Sequence, residues 1–425
     1  MSTELFGGNI NMKVLQINTT CGRGSTGRIA VDIHKLLLEQ GHESVIAYGR
    51  GEPLNCDNTI KIGNKIDFYN HALKTRLLDR HCFGSKKATQ DFVDEVKNYS
   101  PDIIHLHNIH GYYLNIEILF NFLKKFNKPV VWTLHDCWAF TGHCSHFDYA
   151  NCYKWETHCQ KCPERKSYPK SMFIDNSYNN YEKKRSLFTS LDKLTLVTPS
   201  EWLAKLVKRS FLKEYPVKVI NNGIDLNVFK PTPSDFRKKY NLENKFIILG
   251  VANKWGKRKG FEYFIELSKQ LSEDEIIVLV GLSKKQVKTL PANIIGIERT
   301  NSITELAEIY SVADVFVNPT LEENYPTVNL EAQACGTYAL TFDSGGARET
   351  ILSESTGKCL TQKKPDEILY SLRTIETNGL AKTFKLKAYN ENGFMKFDKA
   401  LMIGSYLSLY DEVLERCNNA TKCLH

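Results

Sequence analysis

Glu323-Asn324-Tyr325-Pro326-Thr327-Val328-Asn329-Leu330-Glu331-Ala332 sets two carboxylates eight positions apart, with a tight turn between them and an apolar helix start behind. Pro326 suits the first turn of a helix, where its missing N–H leaves no bond unmade. Glu331 then falls on that helix and Glu323 on the loop before it. Such a turn aims backbone N–H groups and the positive end of a helix dipole at whatever lies in front, an arrangement that suits a phosphate. A carboxylate on the adjoining helix can accept both hydroxyl hydrogens of a ribose. One element can thus hold the two ends of a sugar nucleotide.

The stretch resembles the E-x7-E signature of retaining GT-B glycosyltransferases of family 4. The likeness continues through Ala334-Cys335-Gly336 and Ser344-Gly345-Gly346-Ala347-Arg348-Glu349, which is similar to that family's EAMACGxPV…GGxxE run. The resemblance implies an α/β GT-B fold, two doubly wound Rossmann-like domains facing a cleft. It also implies an acceptor site in the first domain and a nucleotide-sugar site in the second.

A chain of 425 residues is too long for one core, and two domains are the natural expectation. Hydrophobic content of 42% and charged content of 24% are those of a soluble globular protein. No run of 18 or more apolar residues is present, so no transmembrane helix is expected. Met1 to Asn11 lacks a basic region followed by an apolar one, which argues against a secretory signal and for a cytoplasmic setting. The periodic pattern begins only at Met12, so the residues before it read as a disordered lead-in. The net charge of +8 includes clusters at Lys205 to Lys213 and Lys254 to Lys259. Either this is solvated surface, or it draws the protein to substrate phosphates and an anionic membrane face. No aromatic-basic module points to nucleic acid.

Met12 to Asn18 reads as a buried strand, followed by the glycine loop Gly22-x-Gly24-x-x-Gly27 and a helix over Ile29 to Gln40. Strands are expected at Ser44 to Tyr48, Ile103 to His107, Val130 to Leu134 and Leu194 to Thr198. A second series follows at Phe246 to Val251, Glu275 to Val280, Ile294 to Ile297, Val315 to Asn318 and Thr337 to Phe342. Helices are expected between them at Gly260 to Leu271 and Ile303 to Ser311. Strand–helix alternation of this kind means parallel sheets with helices on both faces. The expected boundaries are an acceptor-binding domain over 12–218, a nucleotide-sugar domain over 219–400 and a last helix over 401–416. The hinge falls near Tyr215 to Asp225, where Asn222-Gly223-Ile224-Asp225 resembles the family's NGxDxxxF.P and is structural. In GT-B relatives the last helix crosses back to the first domain, and the same is expected here.

The glycine loop alone is a weak signal. A dinucleotide fold would want an acidic residue about 20 positions on; Ala47, Tyr48, Gly49 and Arg50 stand there instead. The resemblance implies that Gly24 touches donor phosphate. His135 and Asp136 close one strand and point into the crevice where open α/β sheets bind ligands. Relatives carry a histidine at the place of His135 that contacts the donor sugar near the reaction centre. His105 and His107 end the neighbouring strand and resemble the family's DxxHxH. His105 reads as a core histidine, and His107 with Asp136 as acceptor-side residues. Relatives place an arginine six residues before a Lys-Gly pair, and the two cations grip the diphosphate. Lys259-Gly260 matches the pair, but Asn253 stands at the arginine's place. Lys254 or Lys257 then supplies the second cation, or Asn253 makes a neutral hydrogen bond. Paired cations matter because the leaving diphosphate gains charge in the transition state. Arg299, with Tyr325 and Thr327, completes the expected donor set, and the base is expected near Ile297 to Arg299.

Cys144, Cys152, Cys159 and Cys162 form a cluster interspersed with His143, His146 and His158. Thiols in a cytosolic setting argue against a disulfide framework. Four on one loop suit structural tetrahedral zinc, although only one C-x2-C is present and unbound cysteines remain an alternative. A similar cysteine-rich insert, about 137–165, belongs to polysaccharide-assembly relatives.

These readings together describe a retaining glycosyltransferase that extends a lipid-linked glycan of a bacterial surface polysaccharide (capsule, O-antigen or exopolysaccharide). A UDP-sugar is the favoured donor and a polyprenyl-diphosphate-linked glycan the acceptor, with peripheral contact on the inner face of the cell membrane. His135, Glu323 and Lys259 are the expected catalytic residues, and Glu331 holds the ribose. No cofactor is expected for catalysis, since no Asp-x-Asp pair sits in a suitable loop. Three alternatives stay open: a nicotinamide-dependent Rossmann oxidoreductase, a metal-stabilised binding protein and a GT-B phosphorylase. The first explains neither Glu323 and Glu331 nor Lys259-Gly260, the second predicts binding nearly unchanged in Glu323→Ala and Lys259→Ala, and the third would need a pyridoxal-phosphate lysine and usually a longer chain.

Overall fold

The computed structural model describes residues 11–387 and 392–422; the expected lead-in before Met12 lies, but for Asn11, outside them. The chain divides into two compact units. One holds the chain up to Pro199, Leu203–Ile220 and the chain from Ile403; the other holds Ser200–Trp202 and Asn221–Met402. Among the described residues no helix is long and apolar enough to cross a membrane.

The first unit is built on a seven-stranded sheet in the order β3-β2-β1-β4-β5-β6-β7. Its strands are β1 (Lys13–Thr20), β2 (Glu43–Arg50), β3 (Thr59–Lys61), β4 (Ile103–Leu106), β5 (Val130–Thr133), β6 (Leu194–Thr198) and β7 (Val217–Val219). Every pairing is parallel. The central strands are near-continuous apolar runs because helices cover both faces, so neither face needs polar side chains. Chain order reverses between β1 and β4, which makes the carboxyl ends of these two strands the topological switch point, where such sheets bind ligands.

The second unit carries a six-stranded parallel sheet in the order β10-β9-β8-β11-β12-β13. These strands are β8 (Phe246–Val251), β9 (Glu275–Val280), β10 (Ile294–Ile297), β11 (Val315–Asn318), β12 (Tyr338–Phe342) and β13 (Gly357–Leu360). One continuous core joins the inner strands to the helices, from Ile248 and Leu249 through Phe316 to Leu340 and Leu372. Here the switch point lies between β8 and β11.

Several local expectations shift. The first helix spans Gly24–Glu39, so it starts inside the glycine motif rather than at Ile29. Gly27 lies in its first turn, where a Cβ would come 2.8 Å from the Thr20 hydroxyl; the absent side chain lets helix and strand close up. The three-residue strands β3 and β7 are too short to show a period, and β13, Gly-Lys-Cys-Leu, lacks the apolar run that marks the other short strands; none of the three is among the expected strands. Pro326 sits at the cap position, in extended conformation, and the helix it precedes is Thr327–Ala334. The last helix, Lys399–Lys422, runs longer at both ends than expected.

Candidate active site

In the second unit three loops leave the carboxyl ends of β8, β11 and β12 and are fastened to one another by backbone contacts. The turn Lys257–Lys259 ends on Gly260, whose φ is +75°. A Cβ there would lie 2.2 Å from the carbonyl oxygen of Pro319, so only glycine admits the loop after β11 so close. Leu321 N donates to Arg258 O at 2.8 Å, and Arg258 Nη1 donates to Glu322 O at 3.1 Å. From the other side Gly345, with φ +58°, presses on Glu323: its Cβ would fall 1.7 Å from Glu323 O. Gly346 does the same to Asn324 O at 2.2 Å. Ser344 Oγ adds a bond to Thr320 O at 2.8 Å.

This scaffold brings Lys259 and Glu323 into a salt bridge. Both side chains are about one-fifth exposed (23% and 18%), so solvent screens the pair only partly. Glu331 stands on the following helix. Thr327 Oγ1 donates to its Oε1 at 3.2 Å and Tyr310 OH to its Oε2 at 3.1 Å. The carboxylate is thus held on both oxygens by hydroxyl donors. Burial and the facing Glu331 push the Tyr310 phenol well above its ordinary range, so it stays a donor.

The remaining expected donor residues are dispersed. Asn253 and Lys254 are exposed at the end of β8. Arg299 is exposed beyond β10, the edge strand, two strands away from β8. Tyr325 is only 6% exposed and belongs to the core of this unit, which holds the loop rather than presenting its ring. Tyr310 is absent from the sequence reading. It lies on the buried face of the helix Ile303–Val312, where a tyrosine among apolar residues carries no sign of its partner.

In the first unit, Gly24 has φ +70° and opens the first helix, exposed and with nothing near its Cα side. β2 ends on Tyr48-Gly49-Arg50, without the carboxylate that a nicotinamide ribose would want. His107, Trp132, His135 and Asp136 line a shallow pocket at the ends of β4 and β5. His105 bridges Tyr410 OH (2.6 Å) and Thr133 Oγ1 (2.8 Å) inside the core, and burial lowers its pKa to about 3. His135 Nε2 lies 3.2 Å from His107 Nδ1, and burial lowers the pKa of His135 to about 4. Burial would raise Asp136, but the facing His110 outweighs it; Nε2 stands 3.0 Å from Oδ2 and the acid is held down at about 2. His110 is a further residue the sequence did not single out.

Cys144, Cys152, Cys159 and Cys162 all border one small cavity, together with His143 and Trp155. Cys144 and Cys162 share a hydrogen bond, which raises the first thiol and lowers the second. Among the described residues no three histidine, cysteine or carboxylate side chains close to metal-holding geometry. Four thiols are the donor chemistry of tetrahedral zinc, but here they line a cavity without converging on one point. Beneath them Lys184 is buried, donating to Trp138 O (2.7 Å) and Thr141 O (3.0 Å).

Two parallel α/β units, with cation, carboxylates and helix start gathered at the second switch point, define a GT-B glycosyltransferase fold. Solved structures of similar fold include sucrose-phosphate synthase from Thermosynechococcus elongatus, with TM-score 0.68 and 17% identity, covering 95% of this chain and 100% of that one. HepE from Anabaena, in complex with UDP-glucose, matches with TM-score 0.65 and 16% identity over 93% of this chain and 99% of that one. The family "Glycosyltransferase Family 4" matches residues 26–228 and "Glycosyl transferases group 1" matches residues 234–393. The chain belongs to the GT-B glycosyltransferases of the family 4 type.

Among curated relatives, the Escherichia coli K12 glycosyl transferase WcaC, provisionally named for colanic acid biosynthesis, is 25% identical over 421 residues, covering 95% of this chain and 100% of its own. A Campylobacter jejuni N,N'-diacetylbacillosaminyl-diphospho-undecaprenol alpha-1,3-N-acetylgalactosaminyltransferase is 24% identical over 262 residues, 58% of this chain and 69% of its own.

Proposed function

We propose that this enzyme is a retaining transferase that moves a sugar from a nucleotide sugar, a UDP-sugar by preference, to a lipid-linked glycan during assembly of a bacterial surface polysaccharide. The observation that carries the donor reading is the Lys259–Glu323 pair, set one short turn ahead of a Glu331 carboxylate held by Thr327 and Tyr310. Glu331 takes the two ribose hydroxyls. The first turn of the helix Thr327–Ala334 and Lys259 stabilise the departing diphosphate as its charge grows. Glu323 positions Lys259 and orients the donor sugar. The C1–O bond to phosphate breaks as the acceptor oxygen bonds C1 on the same face. The acceptor's proton passes to the departing phosphate oxygen, and configuration is retained. The chain itself supplies positioning and electrostatics.

Support for the pathway comes from the relatives: one is named for colanic acid biosynthesis and another acts on a diphospho-undecaprenol-linked sugar. A UDP donor is supported by the HepE complex with UDP-glucose. The net charge of +8 suits a peripheral position on the cytoplasmic face of an anionic membrane. For the cysteine insert we propose a structural zinc ion, which Cys144, Cys152, Cys159 and Cys162 would hold as thiolates; the cavity they share supports the reading.

The test is transfer itself. Purified enzyme is incubated with UDP-, GDP- and ADP-sugars and a polyprenyl-diphosphate-linked acceptor, with chelator present, and the new linkage is read by NMR. Retained anomeric configuration from a UDP-sugar upholds the proposal; inversion, or turnover only with another nucleotide, sinks the corresponding part.

A further inference from the structure

The helix Lys65–Leu78 in the first unit turns polar side chains inward and apolar ones outward, the reverse of an ordinary surface helix. Its buried residues are His71 and Thr75, with Phe68 and Ala72 half-buried beside them. Hydrogen bonds fix that face. His71 Nε2 accepts from Cys82 N at 2.9 Å, His71 Nδ1 pairs with Ser85 Oγ at 2.9 Å, and Thr75 Oγ1 donates to His71 O at 3.0 Å. On the opposite face Ile66, Tyr69, Leu73 and Leu77 follow one another at helical spacing, all exposed, Ile66 to 70%. Rolling this stripe toward the core would break the bonds of His71 and Thr75.

A second segment extends the stripe. Met172, Phe173 and Ile174 stand exposed in a row, Phe173 to 68%. Met172 N donates to Arg76 O at 2.8 Å, which fastens them to the last turn of the helix. Arg165 Nη1 donates to Phe173 O and Ser171 Oγ to Ile174 O, both at 2.6 Å, so a bonded turn holds the three side chains out. Single exposed apolar residues are ordinary, but a contiguous set marks a contact surface. Charge indicates the partner. At 100° per residue, Lys65 and Arg76 fall along one edge of the stripe and Lys74 along the other. All three are exposed, as are Lys166 and Lys170 just before Met172. The nearby carboxylates are engaged within the protein. Asp67 accepts from Asn64 N in the helix cap, Asp79 is buried against His143, Asp175 accepts from Cys162 N and Ser177 N, and Glu164 from Ser167 Oγ.

We propose that the helix Lys65–Leu78 and the turn 172–174 dock on a bilayer that contains anionic lipid. The apolar stripe lies at the boundary of headgroups and acyl chains, and Lys65, Lys74 and Arg76 reach the lipid phosphates. The inference rests on the reading of the enzyme as peripheral on a membrane and names the surface it uses. An apolar stripe edged on both sides by cations is what a helix lying in a membrane interface presents, because the aliphatic stems cover apolar surface while the charged heads stay at the phosphates. The helix has 14 residues and lies along the surface, with no need to span the bilayer. A second copy of the chain seated on the same face would set these cations against their own kind.

The test sediments the full chain with vesicles of phosphatidylcholine alone and of phosphatidylcholine with phosphatidylglycerol. Wild type is expected to bind the mixed vesicles and to leave the neutral ones largely unoccupied. Leu73→Ser with Phe173→Ser should weaken that binding about tenfold or more. Lys74→Ala with Arg76→Ala should weaken it about fivefold per cation. All four side chains are exposed, so the melting temperatures should stay close to wild type. Lys284→Ala with Lys285→Ala removes the same charge from an exposed place in the second unit and should leave binding nearly unchanged. Undiminished binding in both first-unit variants would overturn this surface while the membrane reading stands. Wild type that ignores the mixed vesicles even at low salt would sink the membrane reading and the proposal together. A wild-type dimer that Leu73→Ser with Phe173→Ser splits into monomers would make the patch an interface between copies and overturn the proposal as well.

Discussion

Lys259 and Glu323, separated by 64 positions, meet in a salt bridge at the carboxyl ends of β8 and β11. The pair joins a cation and a carboxylate that motif spacing alone assigns to separate tasks. In the free enzyme Glu323 holds the ammonium in place. On the proposed function, a donor diphosphate would compete for the same charge. Preorganisation of this kind lets a cation act in the transition state without being gathered at the moment of reaction.

Removing the cation should therefore act on the chemical step. Lys259→Ala is expected to lower kcat by about 10²–10³, the usual loss for one transition-state electrostatic partner. Thermal stability should change little, since partly exposed pairs contribute about 0–1 kcal/mol. Steady-state kinetics with a melting curve checks both. A kcat within threefold of wild type would remove Lys259 from the mechanism.

Tyr310→Phe takes one hydrogen bond from Glu331 while leaving Thr327 in place. The expected result is a donor KM raised about three- to tenfold, corresponding to about 1 kcal/mol, with kcat nearly unchanged. A donor lacking the ribose 2′-hydroxyl should lose affinity for the wild type and much less for Glu331→Ala. Equal losses in both would show that Glu331 does not hold the ribose.

Gly345→Ala puts a methyl group into the backbone of Glu323 at a residue with φ +58°. Left-handed backbone alone costs an L-residue about 1–2 kcal/mol, and the overlap displaces Glu323. Activity should fall at least tenfold together with a lower melting temperature. Gly379→Ala, also at positive φ (+62°) but with open space around it, should lower the melting temperature modestly and spare activity. Circular dichroism melts and kinetics on the two variants separate the effects.

Acid should destabilise the first unit. His105 and His135 have folded pKa values lowered by burial to about 3 and about 4, against an ordinary value near 6.5. Between these limits the unfolded chain binds protons that the folded chain refuses, so stability falls as pH drops below about 6.5. Each such group contributes on the order of 1.4 kcal/mol per pH unit in that window. Denaturant titrations from pH 7 to pH 4 should show the slope, and it should be shallower in His105→Gln. A pH-independent midpoint would contradict the protonation states described here.

Elemental analysis of the purified chain should find about one zinc per molecule, bound by Cys144, Cys152, Cys159 and Cys162, and its removal should lower the melting temperature. A metal-free chain that is stable and active would leave the cysteines as an ordinary thiol-lined cavity.

The parts legible in the sequence are those in which chemistry and spacing are local. Glu323 and Glu331 sit on one turn and one helix, and the apolar runs of β8, β11 and β12 announce a parallel sheet. The Lys259–Glu323 pairing is not local. It depends on Gly260 passing Pro319 O, a close approach that no periodicity reports. Tyr325 stands inside the informative stretch yet belongs to the core, because a turn does not reveal which of its side chains points inward. Gln16 reads as one polar residue in a buried strand, and its partner His107 lies 91 positions away. His107, expected on the acceptor side, is almost fully buried and bonded to His135, which only the β1–β4–β5 order could place beside it.

On the proposed function, Lys259 and Glu331 grip a nucleotide sugar in the second unit. Titration calorimetry of UDP-, GDP- and ADP-sugars, with chelator present, addresses it most directly. The expected result is binding of a UDP-sugar that is lost in both Lys259→Ala and Glu331→Ala, each still folded. Binding that survives both substitutions, or no binding of any nucleotide sugar by the folded wild type, would contradict it.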